Sequence, residues 1–117
     1  MDHRRQRFEE QIQREVSRIL VERLNDPRLG FLSVTSVRAS SDLKHACVHV
    51  SVHGNLREVC HTVDLLQKAR SFVRRELGQS LRLRYVPELE FREDMELQRT
   101  ARVEEILESL KRGELDS

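Results

Sequence analysis

The residues with the most chemical reach lie on one short segment. His45, Cys47, His49 and His53 alternate with Ala46, Val48, Val50 and Val52, and Cys60-His61 follows a few residues on. Zinc takes both His and Cys, and a Cys beside a His or a helix terminus is the setting of an activated thiol. The spacing argues against both uses. Side chains two apart on a strand stand about 6.6–7 Å apart, at a rise near 3.3 Å per residue. Two such neighbours cannot close on one ion at about 2 Å without ligands from other elements. Neighbours on a helix, such as Cys60 and His61, point in different directions. The alternation itself reads as a half-buried strand whose His/Cys face meets solvent. No G-x-S-x-G, Walker A or G-x-G-x-x-G pattern occurs, and no carboxylate pair stands out as an acid–base couple.

A second set of residues is basic. Residues 57–85 hold Arg57, Lys68, Arg70, Arg74, Arg75, Arg82 and Arg84 against Glu58, Asp64 and Glu76, a net of +4. On a straight helix Arg57, His61, Lys68 and Arg75 would fall within about 40° of one another. Clustered arginine beside a helix N-terminus grips a phosphate backbone, although a solvated charged face has the same spacing. Aromatic residues make up only 4% of the chain, which disfavours base stacking across a whole sheet.

The 117 residues suffice for one domain with a core of its own. Net charge is +1, but residues 88–117 hold ten acidic residues against five basic, leaving sixteen basic against ten acidic in 1–87. Eighteen of the 21 basic residues are arginine, which suits bidentate phosphate contact. Aliphatic residues are plentiful, so disorder is not expected. No apolar run approaches the roughly 18–20 residues of a membrane span. The opening Met1-Asp2-His3-Arg4-Arg5 lacks the apolar stretch of a signal peptide, so the chain reads as cytoplasmic. Two cysteines are too few for a disulfide framework.

These residues need elements to hold them. Phe8, Ile12, Val16, Ile19, Leu20 and Leu24 recur at helical steps and predict a helix over 4–25, stopped at Asn25-Asp26-Pro27. Phe31 to Ala39 reads as extended, Ser40-Ser41-Asp42 as a turn, and 43–53 as the alternating strand paired with it in a hairpin. Asn55 with Glu58 resembles a capping box that starts a second helix. An unbroken helix would put Arg70 inside the stripe of Val59, Val63, Leu66, Val73 and Leu77, and Phe72 outside it. The periodicity therefore demands a break near Ala69-Arg70-Ser71. The following helix is expected to end at Gly78. Leu83, Tyr85, Val86, Leu89 and Phe91 suggest a third strand interrupted by Pro87, and residues 95–112 a last, acidic helix. The order is α-β-β-α-kink-α-β-α: an α+β domain with a three-stranded sheet and helices on one face. Residues 1–94 form the domain and 95–117 the acidic helix with a short tail.

At this point the chain resembles the ribosome-binding factor A family. The resemblance rests on Asp26-Pro27-Arg28-Leu29-Gly30, on Ser41-Asp42-Leu43 leading into Ala46-Cys47-Val48-His49-Val50-Ser51, and on Leu83-Arg84-Tyr85-Val86-Pro87-Glu88-Leu89-Glu90-Phe91. Arg74-Arg75-Glu76-Leu77-Gly78 and the Arg4 to Arg7 opening also fit. It implies a type-II KH-like domain in which an interrupted A-x-G kink replaces the usual G-x-x-G loop. That kink maps to Ala69-Arg70-Ser71, with Ser71 where the family has glycine. Serine is less at ease than glycine at positive φ, so the expectation is a kink rebuilt with ordinary backbone angles.

The resemblance further implies binding to the immature small (30S) ribosomal subunit and its 16S rRNA, including the 5′-end region. It also implies a role in rRNA maturation, most needed at low temperature. The expected protein is a monomeric, cytoplasmic RNA-binding factor, with no catalytic centre, cofactor, metal or membrane contact. Lys68, Arg70, Arg74, Arg75, Arg82 and Arg84 are its expected RNA contacts, and Ala69, Arg70 and Ser71 shape the kink. The competing readings are a small thiol or metal enzyme built on Cys47, Cys60 and the histidines, or a protein–protein adaptor using the acidic helix. Replacing Cys47 and Cys60 together by Ser separates the first of these from RNA binding. Co-sedimentation with small subunits should stay near wild type, and its loss at an unchanged melting temperature would favour the thiol or metal chemistry.

Overall fold

A computed structural model of the chain describes residues 3–24, 26–29 and 32–94. Its middle strand is the one with the cleanest alternation. β1 (Leu32–Ala39) and β2 (His45–Val52) pair antiparallel, and β3 (Glu88–Glu93) pairs parallel to β2, in the order β1-β2-β3. Ala46, Val48, Val50 and Val52 of β2 are buried beside Val37 of β1 and Leu89 and Phe91 of β3. On the opposite face His45 is exposed, and Cys47, His49 and Ser51 are half-buried.

Three helices cover the apolar face. α1 (His3–Arg18) presents Ile12 and Val16 and continues in π-helical geometry over Ile19–Leu24. At about 100° per residue Leu24 would lie about 120° away from Ile12. The wider π turn advances less per residue and brings Leu24 back against the core. A parallel third strand cannot be reached by a hairpin. α2 (Leu56–Lys68) and α3 (Arg70–Leu81) make the crossover and bury Val59, Leu66, Val73 and Leu77. The side chain of Asn55 accepts from the Glu58 N–H at 2.9 Å and caps α2 as the sequence suggests. Thr62, rather than Val63, completes the buried stripe, its hydroxyl donating to the Leu29 carbonyl at 3.3 Å.

Both edges of the sheet are covered by side chains from the helices. Glu9 of α1 accepts from the Ala39 N–H at 2.7 Å, and Gln67 of α2 accepts from the Phe91 N–H at 3.1 Å. Each occupies a donor that would otherwise invite another strand. Gln13 donates to the carbonyls of Val34 and Thr35 at 3.4 and 3.3 Å, where the β1–β2 register shifts at a bulge.

The break between the crossover helices falls at Ala69, with φ −89° and ψ 3°. Ser71 lies within α3, and the non-glycine residues with positive φ among those described are Leu43 and Arg82. Two expectations need correction. α3 does not end at Gly78 but runs on to Leu81, stopped by Arg82 in the left-handed conformation at φ 51° and ψ 44°. Gly78 is a point of close approach instead: a Cβ there would meet Val86 Cγ2 at 2.7 Å. Nor do residues 83–87 form strand. Pro87 has no N–H for a ladder, and β3 begins only at Glu88, whose N–H donates to the Lys44 carbonyl at 2.8 Å. The helix expected over 95–112 lies outside the described residues.

Two substitutions test this geometry by thermal melts. Gly78→Ala gains helix propensity of about 1 kcal/mol but forces a methyl into Val86, an overpacking that costs about 1–3 kcal/mol. The expected net is a loss near 1 kcal/mol, recovered in part when Val86 is also cut to Ala. Ser71→Gly is expected to destabilise by roughly 0.5–1 kcal/mol, because the site already has ordinary helical angles. A raised melting temperature in Ser71→Gly would mean that a left-handed residue is needed there.

Candidate nucleic-acid interface

The crossover turns its apolar side to the sheet, so its charged residues face outward. Lys68, at the end of α2, pairs with Asp64 at 3.2 Å, both side chains well exposed. Such a pair is weak in water and easily exchanged for a phosphate. Arg70 opens α3 and donates Nε to the Gln67 carbonyl at 3.0 Å, which satisfies an acceptor left over at the α2 terminus. It borders a shallow cleft with Arg38, His45, Glu88 and Glu90. Arg75 is exposed, with its guanidinium 6.0 Å from the Phe72 ring centroid. Arg82 and Arg84 are exposed in and after the turn that ends α3.

Arg74 stands apart from this group. Its Nε donates to the Pro87 carbonyl at 3.0 Å and its Nη2 to the Val86 carbonyl at 2.8 Å, while Nη1 lies 3.7 Å from Glu88. The half-buried guanidinium rivets α3 to the segment that feeds β3. Its adjacent twin, Arg75, has no such task.

A larger cleft of about 660 Å³ opens between the start of α1, the β1–β2 turn and the loop after α3. Arg4, Arg7, Lys44 and Arg84 line it together with Leu43 and Tyr85. Tyr85 is 74% exposed, and the Arg84 guanidinium lies 5.9 Å from its ring centroid. The β1–β2 turn is tied by Asp42, whose Oδ1 accepts from the Ser40 hydroxyl at 2.6 Å and the Lys44 N–H at 3.0 Å. Those bonds, the hydroxyl first, hold the Asp42 carboxyl below the usual range, so it is ionised at neutral pH. One acid among the lining residues therefore faces four cations. Sequence spacing points to Arg84 but not to Lys44, and it places Tyr85 in a strand. No local signal joins these residues, because the cleft gathers three segments far apart in the chain.

The histidine and cysteine face behaves differently. Burial pushes the Cys47 thiol up, the opposite of activation. His49 lies 3.8 Å from Cys47 Sγ through Nε2 and 3.3 Å from the Ser36 hydroxyl through Nδ1. Cys60 is exposed on α2. Among the described residues no three His, Cys, Asp or Glu side chains converge to hold a metal, and no helix is long and apolar enough to cross a membrane.

Comparison with known proteins agrees with this architecture. A family model described as ribosome-binding factor A matches residues 4–107. The ribosome-binding factor A of Halothermothrix orenii is 40% identical over 111 residues, 95% of this chain and 91% of that protein. That of Heliobacterium modesticaldum is 43% identical over 109 residues, 93% and 90% of the two. The crystal structure of ribosome-binding factor A from Thermus thermophilus superposes with a TM-score of 0.67 at 28% identity, covering 76% of this chain and 94% of that one. A Thermus thermophilus homology model fitted into the cryo-EM map of a 30S–RbfA complex gives a TM-score of 0.61 at 27% identity, covering 73% and 89%. The α+β architecture is thus KH-like, as those structures are.

The two adjacent arginines make a matched pair for urea titration. Arg74→Ala leaves the Val86 and Pro87 carbonyls without their donor and is expected to cost about 1–2 kcal/mol. Arg75→Ala is expected to stay within about 0.5 kcal/mol of wild type. Equal stabilities would show that the Arg74 bonds are not made in solution.

Proposed function

The chain belongs to the ribosome-binding factor A family, and on that premise we propose that it binds the small (30S) ribosomal subunit through 16S rRNA, in the region of the rRNA 5′ end. It acts as an assembly factor in the cytoplasm, as a monomer without catalytic centre or cofactor, and supports rRNA maturation, most of all at low temperature. The observation that carries the RNA-binding reading is the outward presentation of Lys68, Arg70, Arg75, Arg82 and Arg84, all exposed on the crossover and the turn that follows it. These residues are the proposed phosphate contacts. Arg74 enters only as the support that holds Val86 and Pro87 in place. Ala69 sets the angle between α2 and α3, with Arg70 and Ser71 as the first residues beyond it. Contacts of this kind read the backbone and the shape of the RNA rather than its base sequence.

Binding to purified small subunits should fall steeply with salt, log affinity against log salt sloping by roughly −0.7 to −0.9 per neutralised phosphate. Changing Arg70 and Arg75 together to Ala should weaken binding and flatten that slope by about one to two units. A salt-insensitive complex, measured by co-sedimentation across a salt series, would overturn the backbone-binding reading in favour of a protein–protein adaptor.

A further inference from the structure

We propose that the cleft between the start of α1, the β1–β2 turn and the α3–β3 loop holds one unpaired nucleotide of single-stranded RNA. Its base stacks on Tyr85, and its flanking phosphates lie against Arg7, Lys44 and Arg84. The proposal rests on the RNA-binding reading above and adds to it a defined subsite. Tyr85 carries it. A tyrosine ring left 74% exposed at the rim of a cleft is a large apolar surface that the described residues leave largely uncovered. Arg84 contacts the ring at 5.9 Å, but that exposure leaves most of it open to a second planar group. Arginine and an aromatic ring side by side form the pair on which single-stranded bases stack.

The surroundings fit the same ligand. The volume of about 660 Å³ falls within the range of small-molecule sites and accommodates a nucleotide. The cations come from three separate segments, so they line the cleft from different elements rather than extend one helix face. The one acid among the lining residues, Asp42, spends Oδ1 on the Ser40 hydroxyl and the Lys44 N–H and so shapes the turn. Both non-glycine residues with positive φ among those described border this place. Leu43, at φ 61°, lines the cleft, and Arg82, at φ 51°, precedes Leu83, which also lines it. Left-handed Leu and Arg are disfavoured by their Cβ atoms, and such residues gather where a surface is shaped for a partner. A duplex keeps its bases stacked and offers no free face to the ring, so the ligand is an unpaired nucleotide.

The chain has one tyrosine and no tryptophan, so intrinsic tyrosine emission reports on Tyr85 alone. The test titrates the full chain with a fluorescein-labelled adenosine hexaribonucleotide, followed by anisotropy, and with the unlabelled hexamer, followed by tyrosine emission. The hexamer is expected to quench the emission, whereas inorganic polyphosphate should compete for binding without quenching. Tyr85→Ala should weaken hexamer binding by roughly 5- to 100-fold while leaving the salt slope unchanged. Tyr85→Phe should keep the affinity, and Lys44→Ala should flatten the slope by about one unit. Hexamer binding without quenching, and as tight in Tyr85→Ala as in wild type, would overturn the subsite. So would a failure of the hexamer to bind while small subunits still do. Hexamer binding with quenching but no binding to small subunits would uphold the subsite and overturn the ribosomal reading.

Discussion

A strand that lies parallel to its predecessor in the sheet cannot follow it through a tight turn; the chain must travel back along one face first. In this protein that requirement falls between β2 and β3, and most of the molecule follows from it. The return path is α2 and α3, and their inner sides are committed to Val59, Leu66, Val73 and Leu77 against the sheet. Their outer sides are thereby free to carry charge. The break at Ala69 lets two helices of shifted register each face the core, which a single straight helix with this sequence could not do. The path then has to deliver Glu88 opposite His45, and Arg74 holds the last two residues before it by their carbonyls.

The same economy governs the polar residues. Glu9 and Gln67 protect the two sheet edges from the helix side. Gln13 holds the bulge that lets β1 keep Val37 and Ala39 inward on one side and Val34 on the other. Arginine serves in two ways within two adjacent positions. Arg74 is spent on backbone carbonyls, while Arg75 is left on the surface beside Phe72. A count of positive charges does not distinguish them; the contacts that each guanidinium makes do. The β2 face with its histidines and cysteine has the opposite character. Its groups touch one another and Ser36 through single contacts, and burial raises the Cys47 thiol rather than activating it.

The charge of the chain also gains meaning only when it is placed. A near-neutral total conceals cations from the start of α1, from the β1–β2 turn and from the loop after α3 that meet around one exposed tyrosine. Leu43 and Arg82 accept left-handed backbone angles beside that cleft, and the turn around Leu43 is held by Ser40 and Asp42. For the proposed subsite, turns tied in this way would hold the surface in shape before a ligand arrives and lower the ordering cost of association.

What the sequence determined by itself were the features set by local periodicity and short-range bonding. The alternation of Ala46, Val48, Val50 and Val52 names the buried face of β2, since a strand has a period of two. Asn55 and Glu58 mark the start of α2 because a cap spans only three residues, and the misfit of Arg70 and Phe72 with one stripe marks the break. Family motifs spread over most of the chain added the KH-like order. Tertiary structure alone decided the rest, because those features depend on residues distant in sequence. Gly78 looks like a helix stop until Val86 is seen against it. Leu83 to Pro87 look like strand until the Arg74 bonds and the missing proline N–H are counted. The π turn at the end of α1 answers to the core that Leu24 must reach. The basic cleft around Tyr85 exists only once three segments have been folded together, and no spacing along the chain encodes that meeting.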